Sequence, residues 1–460
     1  MTAADGDGAC ATPTLWAAQL RFEDIPTSVI SRVQELLLDS LGVAVGAARV
    51  PAASIAYRIA AGHFGAASEQ DAVRLPFDGR TASMPGAAYA LATRIDSLDA
   101  HDGYQPARGH AGVALVAGLL AIAQRRPHLS GREALTALVV GYEVACRAGV
   151  ALRDTASDYH SSGAWNALGV AALGCRLGPD VTAPMIERAL GIAEYHAPRA
   201  PMMREIDHPS MLHDSSGWGA LAGTSAVLLA ADGFAASPAE LPRRESADAP
   251  WGGLGQRWLV TEQYIKPHPV CFWAQPAVRA ALYLRTACGI RPEDVARIRI
   301  ETFHEATRLA PGTPATTEAA QYALAFPVAC ALRFGVVGPE EIAGSGLRDE
   351  TVSALAGTVE VHERADLSAR FPDERVAEVA ITLNHGAVVR SGAFQPRGIP
   401  ADSLDRAAIE DKFRQYTDGL IEPARQHDLM ATVMALHEPG QSFASVLGHC
   451  LASSSAGSSA

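Results

Sequence analysis

The apolar pattern begins near Pro26, where Thr27 and Ser28 are placed to cap a helix. Its residues Val29, Val33, Leu36, Leu37 and Leu41 recur at the spacing of one helical face, and Asp39 interrupts that buried register. Ala-rich helices are expected over about 51–65, 86–97 and 111–124. Ser130 with Glu133 forms a capping box ahead of a run to Val150 that is apolar almost all round, the pattern of a helix central to a bundle. A small-residue helix from Ala164 to Leu177, suited to close helix approach, and another from Ala220 to Ala231 complete this half.

Past Pro276 the period changes from 3.6 to 2. After a helix at 277–288, Ala296, Ile298 and Ile300 alternate with Arg297, Arg299 and Glu301 as in a half-buried strand over Val295 to Thr302. A helix at about 318–334 precedes strands at Thr358 to His362 and Val376 to Leu383, and Asn384-His385-Gly386 turns the latter into Val388 to Ala393. Helical periodicity resumes at Ser403 and runs to about Leu451, while the first dozen residues and the terminal ASSSAGSSA lack any pattern and are expected to be disordered. The expected class is mainly α. A large all-helical domain comes from residues 1–266 and 403–460, with a flexible tail after about 452, and a smaller α+β lid domain is inserted at 267–402.

Polar islands interrupt the apolar helices. Arg94 to Val113 gathers Asp96, Asp99, His101, Asp102 and His110 in a segment broken by Gly103, Pro106 and Gly109. Carboxylates and imidazoles entering a helical core are rarely buried unless paired or used, so this is a site candidate; the alternative is a solvated loop whose aspartates cap the next helix. A second island at 194–223 holds His196, His208, His213, Asp207 and Asp214, with spacings that fit neither HxxxH nor HExxH, so no metal site is expected. His160 sits at the head of the small-residue helix, and Lys266 is fixed between Tyr264 and the prolines 267 and 269.

Composition narrows the classes. A chain of 460 residues exceeds the size at which one core keeps growing, and 48% hydrophobic residues supply ample material to bury. No apolar run is read as reaching the roughly 18–20 residues of a membrane span, and MTAADGDGAC lacks the features of a signal peptide, so a cytoplasmic location without a membrane partner is expected. A net charge of −12 without a basic stripe argues against nucleic acid. The 7 cysteines are scattered without CxxC spacing and are expected to be reduced thiols.

Several stretches together resemble one family. Leu98-Asp99-Ala100-His101-Asp102 followed by His110-Ala111-Gly112 is similar to LDxDD…HPS. His160-Ser161-Ser162-Gly163 is similar to a histidine-led small-residue helix, and His213-Asp214-Ser215-Ser216-Gly217-Trp218-Gly219 to KDGxGWG. Tyr264 to Cys271 is similar to YxKPYPCC, and FPDERVAEVAITLNHG and Lys412-Phe413 also match landmarks. In order and spacing, over nearly the whole chain, these resemble the MmgE/PrpD family, which includes 2-methylcitrate dehydratase, cis-aconitate decarboxylase and iminodisuccinate epimerase. The resemblance implies a homodimer of two-domain subunits with a site between the helical domain and its lid. It also implies that Asp99, His110, His160 and Lys266 supply the acid/base groups and the carboxylate anchor. The chain departs from the family at His101, Ala111, Gly112 and His213, the last replacing a lysine.

Removing a proton next to a carboxylate builds enolate-like charge, which calls for an imidazole or carboxylate base and a fixed cation. Asp, His and Lys provide that set without a cofactor. The expected activity is a cofactor-free lyase or isomerase acting on a small carboxylic acid by dehydration, decarboxylation, epimerisation or a related elimination. Asp99, His110, His160 and His213 are the catalytic candidates, and Lys266, His101, Asp102 and His268 the substrate-binding ones. A neutral His213 opposite His160 favours epimerisation or isomerisation over decarboxylation. The alternatives are a catalytically decayed member acting as a binding or scaffold protein, and a metal hydrolase using His101, His110 and His208.

Overall fold

The computed structural model describes residues 12–243, 251–309 and 312–452, so the expectations for the first 11 residues and for the tail beyond 452 lie outside the described residues. The protein is mainly helical. Its larger core is built from Thr27–Gly46, Met84–Asp96, Gly112–Ala123, Gly131–Thr155, Gly163–Arg176 and Ser216–Ala231, and Arg406–Thr417 near the other end of the chain packs on the first of these. Glycine sets the closest approach: a Cβ on Gly169 would fall 2.6 Å from the Gly141 carbonyl oxygen. Gly131–Thr155 starts at the expected capping box, Glu133 N–H donating to Ser130 Oγ (3.2 Å) and Ser130 N–H to Glu133 Oε2 (3.1 Å). Contrary to the sequence reading, this 25-residue helix is long and apolar enough for a membrane span; its apolar window is wholly buried in the core, as a central bundle helix is.

Some boundaries differ for physical reasons. Thr27 and Ser28 do not cap the first long helix; Pro26 holds the cap position, and its carbonyl accepts from Val29 N (2.9 Å) and Ile30 N (3.1 Å). A short helix, Pro13–Gln19, precedes it, capped by Thr12. The helix expected over 318–334 is two, Thr317–Gln321 and Ala325–Phe334, because Pro327 cannot donate the N–H that would carry the ladder across residues 322–324. The break leaves Tyr322 between them.

A second core holds one face of a four-stranded sheet, ordered Val359–Glu363, Val295–Thr302, Ala377–Leu383, Val388–Phe394. Val295–Thr302 runs parallel to the first and antiparallel to the third. Ile298, Ile300, Val379 and Ile381 are buried along with residues of helices Gln275–Cys288 and Ala325–Phe334, while Arg297, Arg299 and Glu301 on the strand's other face form surface ion pairs. Met202 and Ile206, from the second polar island, pack into this second core although they precede it by many residues. The segments 94–113 and 264–269 meet in a two-residue antiparallel pair, Asp102 opposite Ile265 and Gly103 opposite Tyr264. Glycine is needed there, since a Cβ on Gly103 would lie 2.4 Å from the Tyr264 ring.

Candidate active site

That pairing sets Lys266 beside Asp99. Asp99 takes a left-handed backbone conformation (φ 52°), which an aspartate tolerates better than most residues and which turns its carboxylate inward. Lys266 Nζ donates to Asp99 Oδ1 and to the Asp99 carbonyl (3.2 Å), and both side chains are buried. Burial pushes the Asp99 carboxyl up; Lys266, with the nearby imidazoles of His110, His101 and His213, outweighs it and holds the group below its ordinary value.

His110 is oriented from both sides. Its Nδ1 donates to the Asp102 carbonyl at 2.6 Å, so Nε2 keeps a lone pair, 3.7 Å from Asp214 Oδ2. Its backbone N–H donates to Ser162 Oγ (2.9 Å), and its carbonyl accepts from Asn166 Nδ2 (3.2 Å). Burial, reinforced by Lys266 and His101, lowers the imidazole to about 4, so it is neutral at pH 7. Asp214 is held by the Ser162 N–H (3.1 Å) and hydroxyl.

Asp99, His110, Asp214 and Lys266 line one cavity of about 310 Å³, within the range of small-ligand sites. Its opposite wall includes Trp273, Tyr322 and Phe371 of the second core, together with Phe272 and Arg375. Arg375 is buried, its guanidinium 5.5 Å from the Phe272 ring centre and 5.4 Å from that of Phe371. Nη1 donates to the Pro372 carbonyl (2.6 Å), whereas Nε has no partner and no carboxylate pairs with the group among the described residues. Burial lowers its proton affinity, a cost that an anion would offset.

Of the residues singled out from sequence, Asp99, His110 and Lys266 meet in this cavity. His101 and Asp102 stand behind it. His101 lies edge-on to His110 (ring centres 4.5 Å apart), with Nδ1 3.2 Å from the Asp102 carbonyl and Nε2 3.3 Å from Asp96 Oδ1. The Asp102 carboxyl, pushed up to about 7 by burial, accepts from Tyr142 OH (2.5 Å) and Gly112 N (3.2 Å); its carbonyl, not its carboxylate, serves the site.

Three of the expected residues lie outside this cavity. His160 does not line the cavity: its segment bridges to Pro201 in extended form, so Tyr159 faces the cavity and His160 turns away, with Nδ1 2.8 Å from the Asp158 carbonyl. His213, at φ 46°, is buried in a neighbouring cavity of about 250 Å³ with Ser161 and Glu205, its ring centre 6.0 Å from that of Tyr322. It therefore does not oppose His160 across a shared substrate space. His268 gives Nδ1 to the Val337 carbonyl (3.0 Å) away from the cavity, and burial lowers it to about 4. His208 lines the neighbouring cavity, apart from His101 and His110, and among the described residues no three His, Cys, Asp or Glu side chains converge to hold a metal. Sequence reasoning missed Asp214, Tyr322 and Arg375 as site residues. Asp214 and Arg375 stand inside the motif stretches already noted, and that is the signal by which they could have been found.

The MmgE/PrpD N-terminal domain model matches residues 14–249 and the MmgE/PrpD C-terminal domain model residues 268–438. The chain is 23% identical over 481 residues to the cis-aconitate decarboxylase-like protein oryM of Aspergillus oryzae (strain ATCC 42149 / RIB 40), which covers 92% of this chain and 93% of that protein. It is 26% identical over 291 residues to the cis-aconitate decarboxylase of Aspergillus terreus, covering 60% of this chain and 56% of that protein. With both domain models matched in order across its length, the chain belongs to the MmgE/PrpD family.

Proposed function

We propose that the protein is a cofactor-free lyase that takes a proton from the carbon next to a carboxylate or carbonyl of a small acid, with His110 as the base. The observation that carries this reading is the His110 ring itself: Nδ1 is tied to a carbonyl, Nε2 is unprotonated, and the ring shares a cavity with Lys266 and Arg375. As His110 Nε2 takes the proton, negative charge grows on the substrate carboxylate. Lys266 uses two of its three donors on Asp99, which leaves one for that charge, and Arg375 offers Nη2. Asp214 stabilises the imidazolium that forms. In a dehydration the electron pair left by the proton expels hydroxide, which completes the elimination; in a decarboxylation the proton moves the other way, carbon dioxide departing with its bonding pair left on carbon, to which a proton is then added.

The relatives' names favour decarboxylation, and the position of His213, which sets no second imidazole opposite His110, disfavours epimerisation. The α+β unit, which supplies Phe272, Trp273 and Arg375, is proposed to close over the site and exclude water. The reading further carries a cytoplasmic homodimer with a small carboxylate substrate and no nucleic-acid or membrane partner; sedimentation velocity tests the dimer. Incubating the purified protein with candidate acids in deuterium oxide tests the chemistry. Deuterium should enter the carbon next to the carboxylate, and His110→Asn should abolish this. Binding without exchange or turnover of any acid would favour the decayed, binding-only alternative.

A further inference from the structure

Resting on that reading, we propose that the substrate is an acid with one buried carboxylate, held by Arg375, and a planar apolar substituent, aromatic or conjugated, rather than a tricarboxylate. Two independent features carry this, the charge the cavity can neutralise and the character of its wall.

Four cationic side chains face the cavity, but most are committed. Lys266 is engaged by Asp99, and Arg308 Nη2 lies 2.7 Å from each oxygen of Asp207. Arg108 stands at the exposed rim. Among the described residues, Arg375 is the buried cation of this cavity without an ion pair. Its Nε is buried without a partner and Nη2 makes no hydrogen bond, so the guanidinium keeps donor capacity for a carboxylate at Nη2. On the other side, Asp99 and Asp214 already bring carboxylates to the floor. A triacid would set its second and third charges against these, with only the third donor of Lys266 and the exposed Arg108 left to answer them.

The wall beside Arg375 is aromatic. Tyr264 and Phe272 stack at 4.0 Å and 13°, and Phe371 stacks on Phe303 at 5.0 Å and 13° with Trp273 edge-on to it at 6.0 Å. Met202, Met203 and Ile206 add apolar surface, and the Cys271 thiol, pushed up to about 12 by burial, stays neutral. A carboxylate on Arg375 therefore carries its substituent along ring faces and thioethers, a surface that rewards a flat apolar group.

The test is calorimetric titration of the full-length protein with trans-cinnamate, 3-phenylpropionate and cis-aconitate at one ionic strength. The aryl acids are expected to bind about tenfold or more tighter than cis-aconitate. Arg375→Met should weaken aryl-acid binding by about 30-fold or more, the scale on which loss of a buried charge partner acts, with Arg375→Lys in between. Tighter binding of cis-aconitate, or no binding of either aryl acid to the wild type, overturns the inference, and so does unchanged affinity in a folded Arg375→Met protein. Exchange into 3-phenylpropionate in deuterium oxide separates the two claims. Selective binding without exchange leaves the substrate class standing and removes the proton-transfer reading; preferential exchange or turnover of cis-aconitate does the reverse.

Discussion

Replacing Lys266 by methionine removes the ammonium that holds Asp99 through both a carboxylate oxygen and the backbone carbonyl. Methionine is similar in length, so the loss is chiefly electrostatic. Asp99 remains buried, 3% exposed, with Oδ2 already lacking a donor. Breaking a buried pair by removing one partner costs about 3–5 kcal/mol, because a charge is left without compensation. In a chain of this size that lowers Tm by on the order of 5 °C. The pH dependence has a definite sign. In the wild type the folded Asp99 value is depressed, so the pair contributes stability above the unfolded carboxylate value of about 4, and this is lost as pH falls through the folded value. In the variant the largest lowering influence is gone and only the nearby imidazoles oppose burial, so the folded value rises, and the deficit is full near pH 7 and shrinks as acid protonates the carboxyl. Circular-dichroism melts at pH 7 and pH 5 read both effects, and Lys266→Met combined with Asp99→Asn should recover part of the loss. A single variant melting within about 1 °C of wild type at pH 7 refutes the reasoning.

Other outcomes follow from the same geometry. His110→Asn should lower kcat by roughly 10²–10⁴-fold without loss of fold, read by single-turnover assays and circular dichroism; a mild effect removes His110 as the base. Because catalysis needs neutral His110, the acid limb of the kcat/KM profile should fall as pH drops through about 4, and a limb centred at the ordinary histidine value of about 6.5 would contradict the buried, cation-flanked ring. His160→Ala should leave kcat/KM nearly unchanged, since the side chain faces away from the cavity; a large loss would return His160 to the proton path.

Much of the fold was legible because its signals are local. The capping box at Ser130 and Glu133, the alternation over Val295 to Thr302 and the turn at Asn384-His385-Gly386 are each decided within a few residues. The failures occur where a local preference meets a single obstruction. Pro327 divides one expected helix into two, and Pro26, not the hydroxyls after it, starts the first long one. Met202 and Ile206 lie far along the chain from the core they join, and no periodicity announces such a crossing.

Within the site, what was legible is what sequence neighbours fix. Lys266 is held by an aromatic residue and prolines, and Asp99 and His110 sit in a polar segment between apolar helices, so their burial was foreseeable. His160 was not, because in an extended segment neighbouring side chains take opposite sides, and Tyr159 took the inner one. Arg375 was hidden more deeply. In Asp373-Glu374-Arg375 it looks like one charge of a solvated turn, and only the approach of Phe272 and Phe371 buries it. Pairing is equally invisible: Lys266, Arg308 and Arg375 are all cations in the chain, but the first two meet carboxylates and the third does not. The charge available to a substrate is thus set by which cations remain unpaired after folding. That is why a chain whose motifs match a family of acid-handling enzymes can present a pocket suited to an acid of different charge.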